Sequence, residues 1–318
     1  MQPRTFRNWN GSASSHPSIV ASPRDLEELI AVVKDRDTWP SPVRAAGSFH
    51  SLNACFATTG TQVLLGSFND IRVDLESKTI TVGAAVTMVR IADALRPHGM
   101  QTEVQPEIGN ATAGSVACCG TKDASIGPTG LAQVGSTVIS VKLVNPQGAV
   151  EEVTEEADPE RLRVIRSSYG LLGVIFEVTF RIQPAVMLRY DYAVFRLNPP
   201  PTREQLLGGA DGMLGLVLPY AGRMLVERRW IDGDGSGHIS RFSRTKRYSR
   251  DKLWEVASSF FPTMLPHDWA FGLMDRGFII TLRGLSRLGG SPPGGRTRRS
   301  TSSSIGATTS TSPSGPSR

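Results

Sequence analysis

The most informative segment of this chain spans residues 43–53 and reads Val43-Arg44-Ala45-Ala46-Gly47-Ser48-Phe49-His50-Ser51-Leu52-Asn53. The pattern predicts a short strand over Val43–Ala46 that leads into Gly47. Small residues follow, and His50 stands at the tip of the predicted turn. Backbone N–H groups that converge in such a turn form an anion-binding concavity suited to a pyrophosphate. His50 would then lie beside the bound group; the alternative is an ordinary histidine of a surface turn.

Strands and helices alternate on both sides of this loop. Apolar spacing predicts a helix over residues 22–35 with Ser22 as its N-cap, an amphipathic helix from Met88 to Leu95, and a helix over Pro159–Ser167. Apolar runs predict further strands at Gln62–Leu65, Lys78–Val82, Val138–Val144, Val150–Val153 and Gly173–Ile182. This alternation indicates an α+β or α/β fold.

A second segment, residues 106–130, is dominated by small residues between Ala111 and Gly120. Such a stretch lets the backbone approach a flat ligand or another helix closely. A tightly packed turn and helix without any ligand is the alternative interpretation.

Four segments in order resemble the vanillyl-alcohol-oxidase/p-cresol-methylhydroxylase (PCMH) flavoproteins, in particular their aldonolactone and alditol oxidase branch. The first loop fits that branch's pattern Arg-x-x-Gly-x-x-His-Ser-x-Asn. The run Thr112-Ala113-Gly114-Ser115-Val116-Ala117, followed by Gly120-Thr121, is similar to its small-residue segment. Asn8-Trp9-Asn10-Gly11 and Tyr169–Phe180 resemble its opening and its closing strand, so the resemblance covers residues 7–183. The chain departs from the pattern at Lys122-Asp123, where His-Gly is usual.

The resemblance implies an α+β fold with a two-subdomain PCMH-type FAD-binding domain over residues 1–187. A partial α+β substrate (cap) domain is expected over residues 188–283. Residues 284–318 are rich in Gly, Pro, Ser, Thr and Arg, a composition that predicts a disordered tail.

The resemblance also implies FAD as cofactor. In many members the histidine at the position of His50 carries the FAD covalently, so His50 is the implied attachment residue. The implied FAD-binding residues are Arg44, Ala46, Gly47, Ser48, Phe49, Ser51, Asn53, Thr112, Gly114, Ser115, Ala117, Gly120, Thr121, Val174 and Ile175. The implied reaction moves a hydride from a CH–OH group of a polyol, sugar acid or lactone to flavin N5, and O2 or another acceptor reoxidises the flavin. No catalytic base and no metal ligand is assigned.

The sequence after residue 200 lacks the late histidine-and-lysine motif that the family usually carries near its substrate. An abrupt change of composition follows at Gly284. A truncated or frame-shifted flavin-binding protein without turnover is therefore the main alternative. Two others stay open: an NADPH-dependent reductase of the same family, and an interaction protein that uses its basic tail on acidic partners.

Charge and motifs argue against other function classes. The net charge is +6. Residues 283–318 contain no acidic residue and contribute six positive charges, from Arg283, Arg287, Arg296, Arg298, Arg299 and Arg318. The body of the chain is thus formally neutral, which disfavours a nucleic-acid partner. No GxxxxGK[ST] motif occurs, and no GxGxxG lies between a strand and a helix, so P-loop and Rossmann sites are not predicted.

The sequence predicts an intracellular, cytoplasmic protein. No apolar signal region and no run of eighteen apolar residues occurs, so neither a signal peptide nor a transmembrane segment is expected. The three cysteines, Cys55, Cys118 and Cys119, lack disulfide-framework and metal-site spacing, and we interpret them as reduced thiols.

Overall fold

The computed structural model describes residues 4–106, 108–122 and 133–234, together with Arg276, Gly277 and Ile280. Within these ranges the chain forms three main β-sheets and five α-helices. This mixture confirms the predicted α+β class.

The first sheet is parallel and carries the His50 loop at its edge. Its strands are β3 (Ile19–Ala21), β4 (Val43–Ala46) and β5 (Thr61–Leu64), in the order β3-β5-β4. A short antiparallel pair, β1 (Phe6–Arg7) with β2 (Ser14–Ser15), precedes it. Because parallel strands need a crossover connection, the chain passes through a helix between β3 and β4.

That helix, α1 (Leu26–Lys34), begins later than predicted. The cap is Asp25 and not Ser22, since the Asp25 carboxylate accepts the Glu28 backbone N–H at 2.9 Å. An aspartate in this position satisfies a backbone donor that the helix itself leaves without a partner, so the helix begins directly after it. The predicted apolar face is correct, with Leu29 and Val33 fully buried.

The second sheet is antiparallel and is centred on β11 (Val174–Pro184). Strands β7 (Thr79–Gly83) and β9 (Val138–Val144) pair with β11 on its two sides, and β6 (Ile71–Asp74) and β10 (Val150–Thr154) lie outside them. Strand β8 (Met100–Thr102) pairs with the end of β11. Three helices complete this part of the chain: α2 (Met88–Leu95), α3 (Ala113–Cys118) and α4 (Pro159–Ile165).

Most predicted elements of this region agree with the structure to within one or two residues. The strands at 43–46 and 138–144 and the helix from 88 to 95 have the predicted bounds. The pair β1 and β2 and strands β6 and β8 were not predicted as strands. The pair and β8 are too short to show an apolar alternation, whereas Ile71-Arg72-Val73-Asp74 of β6 does alternate and its signal was missed.

A single buried cluster joins the first two sheets. It includes Leu29 of α1, Val63 of β5, Ile80 of β7, Ile91 of α2 and Phe180 of β11. Since the cluster is continuous, the two sheets pack as one unit with the His50 loop at its rim.

The third sheet contains β12 (Val186–Arg196), β13 (Gly212–Leu218) and β14 (Arg223–Asp234) in the order β12-β14-β13. In the chain, helix α5 (Arg203–Leu207) connects β12 to β13. Its apolar cluster among the described residues is small and centres on Leu218 and Leu225. The cap domain, its bounds and the tail stay predictions, since residues 235–275 and 281–318 lie outside the described residues.

Candidate cofactor site

The His50 loop leaves the carboxyl end of β4 with a run of available backbone donors. Within the described part of the chain, none of the backbone N–H groups of residues 48–52 donates a hydrogen bond. Consecutive N–H groups without a protein acceptor fit the predicted anion-binding concavity. An FAD pyrophosphate is therefore compatible with the loop as it is folded.

The structure brings the two predicted site segments together at Gly47. A Cβ atom built on Gly47 would collide with Ser115 Oγ and would lie 2.5 Å from Thr112 Oγ1. These two hydroxyls hydrogen-bond each other at 3.0 Å, which holds them in place. Ser48 Oγ adds a second link by donating to the Asn110 carbonyl. Only glycine fits at position 47 without a shift of its neighbours.

Small residues fix the other wall of this site. Ala113 and Ala117 of α3 are completely buried. The backbone N–H of Gly114 donates to the Ala84 carbonyl at 3.0 Å, and a Cβ on Gly114 would lie 3.0 Å from Ala84 Cβ. Close approach therefore locks α3 onto the segment that follows β7, and Thr112 and Ser115 face the loop from a rigid base.

His50 is half-exposed at the loop, and its neighbour Phe49 has an unusual backbone. Phe49 adopts φ +58°, in the left-handed region that few non-glycine residues enter. Its ring stacks on Phe6 with centroids 5.4 Å apart and meets the edge of Phe56 at 5.3 Å. The strained turn is thus clamped by aromatic packing.

The remaining predicted loop residues support the turn. Ser51 Oγ donates to Asn53 Oδ1 at 2.8 Å, and the same oxygen accepts the Cys55 backbone N–H. The Arg44 carbonyl accepts from Gln62 Nε2 at 2.8 Å, which ties β4 to its neighbour β5. These bonds keep the loop compact after His50.

The last four predicted contact residues belong to other elements. Gly120 has φ +52° and Thr121 accepts the Val134 backbone N–H, so both belong to the turn after α3. Val174 and Ile175 are buried in β11 and have no hydrogen bond to the 46–53 loop among the described residues. Residues 123–130 of the second predicted segment lie outside the described residues.

The three cysteines form a thiol cluster next to the site, although Cys55 is distant in sequence from the adjacent pair Cys118 and Cys119. Sγ of Cys118 lies 3.7 Å from Sγ of Cys119, and Cys119 also hydrogen-bonds Cys55. The hydrogen bond from Cys118 and burial raise the pKa of Cys119 to about 12. The hydrogen bond with Cys119 and burial likewise raise the pKa of Cys55. All three are free, in agreement with the interpretation as reduced thiols.

One polar cluster was missed by the sequence analysis. On the third sheet, Glu227 is only 8% exposed; its Oε2 accepts from the Tyr192 hydroxyl at 2.7 Å and its Oε1 accepts from Arg229 Nε at 2.8 Å. Glu227 and Arg229 share one face of β14 because they are two residues apart. A Glu-x-Arg pair within a strand was the available signal. Buried charged groups in so small an apolar cluster are candidates for a functional site.

No group of three or more His, Cys, Asp or Glu side chains within the described ranges is arranged to hold a metal ion. No helix there is long and apolar enough to cross a membrane.

One known family is similar to the part of the chain that contains the site. Residues 17–154 match the family described as FAD binding domain. The match includes the His50 loop, α3 and the first turn after it.

Three curated relatives are sugar-lactone enzymes by name. L-galactono-1,4-lactone dehydrogenase, mitochondrial, of Arabidopsis thaliana is 26% identical over 70% of this chain and 36% of its own length. L-gulonolactone oxidase of Bos taurus is 27% identical over 66% and 46%. D-arabinono-1,4-lactone oxidase of Candida glabrata is 28% identical over 82% and 51%. The chain thus spans about a third to a half of the length of these relatives.

A solved structure supports the fold. A solvent-stable cholesterol oxidase has a TM-score of 0.69 at 16% identity, covering 90% of this chain and 59% of the oxidase chain. At this identity the likeness concerns the fold alone.

Proposed function

We propose that this protein is an FAD-dependent oxidoreductase acting on a CH–OH group of a sugar lactone or a related polyol or sugar acid, since residues 17–154 match the family described as FAD binding domain. The names of the curated relatives favour a lactone within this class. Dioxygen or another acceptor takes the electrons from the reduced cofactor.

The observation that carries the proposal is the contact between the His50 loop and the start of α3 at Gly47. Available N–H groups of residues 48–52 suit the pyrophosphate, and the small residues of α3 let this helix pack closely beside the loop. When bound, FAD supplies the acceptor for a hydride from the substrate carbon. The chain's own residues orient the cofactor and exclude water from one side of it. His50 is the proposed point of covalent attachment.

The substrate-side group that we propose is the Glu227 cluster. Arg229 hydrogen-bonds the Glu227 carboxylate, so the pair presents a negative and a positive group from one strand. Charged side chains of both signs suit hydrogen bonds to sugar hydroxyls, so we propose that this pair helps to orient the substrate. The alternative is an ion pair that only stabilises the third sheet.

This role of Glu227 is tested by comparing FAD binding with cofactor reduction. Glu227→Gln retains the size and most hydrogen bonds of the side chain, so FAD affinity is expected to stay within twofold of wild type. Bleaching of bound FAD by an added aldonolactone is expected to slow about 100-fold, because loss of the charge changes the orientation of the substrate. Equal bleaching rates in wild type and variant would assign Glu227 to the sheet alone.

A catalytically incomplete flavin-binding protein is the second candidate. One observation favours it: residues 201–318 carry no late histidine-and-lysine motif. In that case FAD binds and no lactone reduces it.

The first experiment is a denaturing gel of the purified chain, viewed under ultraviolet light after acid treatment. A fluorescent band that His50→Ala removes and that the control His98→Ala retains would support covalent FAD at His50. His98 is a suitable control because it is an exposed histidine outside the site. A dark band from yellow protein indicates non-covalent FAD. Colourless protein that does not take up added FAD would refute the proposal.

A further inference from the structure

Residues Phe6–Trp9, here called the N-terminal strap, contact the His50 loop although they lie more than 35 residues away in sequence. The Phe6 ring stacks on the Phe49 ring with an interplanar angle of 9°. The Trp9 backbone N–H donates to the Phe49 carbonyl at 3.0 Å. The residue directly before His50 is therefore held through both its ring and its carbonyl.

The strap holds the residue directly after His50 as well. Asn8 Nδ2 donates to the Ser51 carbonyl at 3.0 Å and to Ser12 Oγ at 3.0 Å, while its Oδ1 accepts the Ala13 backbone N–H. Asn8 is only 4% exposed. A buried amide with both ends paired is costly to replace, since any lost partner leaves a desolvated polar group.

These contacts explain how the loop keeps its unfavourable turn. A non-glycine residue with positive φ persists only where surrounding structure determines it, and such positions concentrate at functional sites. Here Phe49 has φ +58°, and the strap grips the chain immediately before and after the turn. With the carbonyls of Phe49 and Ser51 both fixed, His50 and the N–H groups of residues 48–52 have one arrangement.

We propose that the N-terminal strap is a positioning element that presets His50 and the loop N–H groups for the cofactor, with Asn8 as its key side chain. The inference rests on the proposed function, because it assigns the preset loop to FAD. Asn8 acts only through the loop, so it is a positioning residue.

Asn8→Asp isolates the contact between strap and loop. Aspartate keeps an acceptor for the Ala13 N–H, but it has no N–H to donate to the Ser51 carbonyl. Ser12→Ala is the matched control, since it removes the other partner of Asn8 Nδ2 and leaves the bond to Ser51. Phe6→Leu is a second, uncharged variant that removes the ring stacking and keeps apolar bulk.

Two measurements on the full chain separate the strap from the cofactor. The first is the rate of chymotrypsin cleavage after Phe49 and Leu52 in FAD-free protein, followed by mass spectrometry. The second is the Kd for FAD from quenching of its fluorescence. We expect Asn8→Asp to speed cleavage at least fivefold and to raise the Kd for FAD at least tenfold. Phe6→Leu should change both quantities in the same direction. In Ser12→Ala, the cleavage rate and the Kd should both stay within twofold of wild type.

The outcomes are distinct. Wild-type cleavage rates in Asn8→Asp and Phe6→Leu would show that the strap does not hold the loop, and the inference would be wrong. Faster cleavage with an unchanged Kd would show that the held loop is not preset for FAD, which also overturns it. If wild-type protein takes up no FAD, the proposed function fails and the positioning role fails with it, while cleavage still reports the contact itself.

Discussion

Gly47→Ala is the most direct test of the site, because position 47 is where the two predicted segments touch. The added methyl would lie 2.5 Å from Thr112 Oγ1, whereas ordinary contacts begin at 3.4 Å, so the loop or α3 must move by roughly 1 Å. Overpacking of this size costs about 1–3 kcal/mol, which lowers the Tm by about 2–12 °C for a domain of 150–250 residues.

The assay combines thermal unfolding without FAD and FAD titration. Gly66→Ala is the matched control, since a Cβ there meets nothing within 4 Å, and its Tm is expected to stay within about 2 °C of wild type. The double variant Gly47→Ala/Ser115→Ala lacks the nearer hydroxyl. Its free energy of unfolding should exceed that of Gly47→Ala by at least about 0.5 kcal/mol. A Gly47→Ala protein with wild-type Tm and FAD affinity would refute the close contact between loop and α3.

Three further predictions concern other parts of the fold. Burial raises the pKa of Glu177, but its bonds to Arg72 and Lys142 outweigh burial and hold the pKa below 4.5. The ionised Glu177 therefore stabilises the fold above about pH 4.5, and this contribution is lost as pH falls through the folded-state pKa. In urea unfolding, the free energy of unfolding of Glu177→Gln should fall less steeply at acid pH than that of wild type. Cys119, with a pKa of about 12, should react with iodoacetamide at pH 8 about a thousandfold more slowly in native than in unfolded protein, and rapid native labelling would contradict the thiol cluster. Gly173→Ala, at φ +151° and with its Cβ 2.5 Å from the Val144 carbonyl, should cost about 1–3 kcal/mol by urea unfolding, and no loss would contradict that close approach.

The regular part of the fold was predictable because its signals are local. Strand β9 and helix α2 have the predicted bounds, since their apolar residues recur with the period of the element. The start of α1 was misplaced because Ser22 and Asp25 are both good caps, and only the hydrogen bond to Glu28 selects between them. The same ambiguity affects any helix preceded by two capping residues.

The site was predictable in its residues and not in its contacts. The resemblance pointed to Gly47, Thr112 and Ser115. The close approach of Gly47 to the two hydroxyls, however, depends on how the two sheets pack. The Glu227 pair was missed because a charged residue in a strand normally faces solvent, and its burial is a tertiary property.

The central position of β11 has a consequence for how the chain matures on the ribosome. The segment that matches the FAD binding domain family ends at residue 154, whereas β7, β8 and β9 all pair with residues 174–184. Strands made early thus wait, with open edges, until a later strand is synthesised. Pairings this distant in sequence form slowly, and open edges invite aggregation. A fragment ending at residue 154 would lack the pairing partner of β7, β8 and β9 and is expected to aggregate more readily than the longer chain.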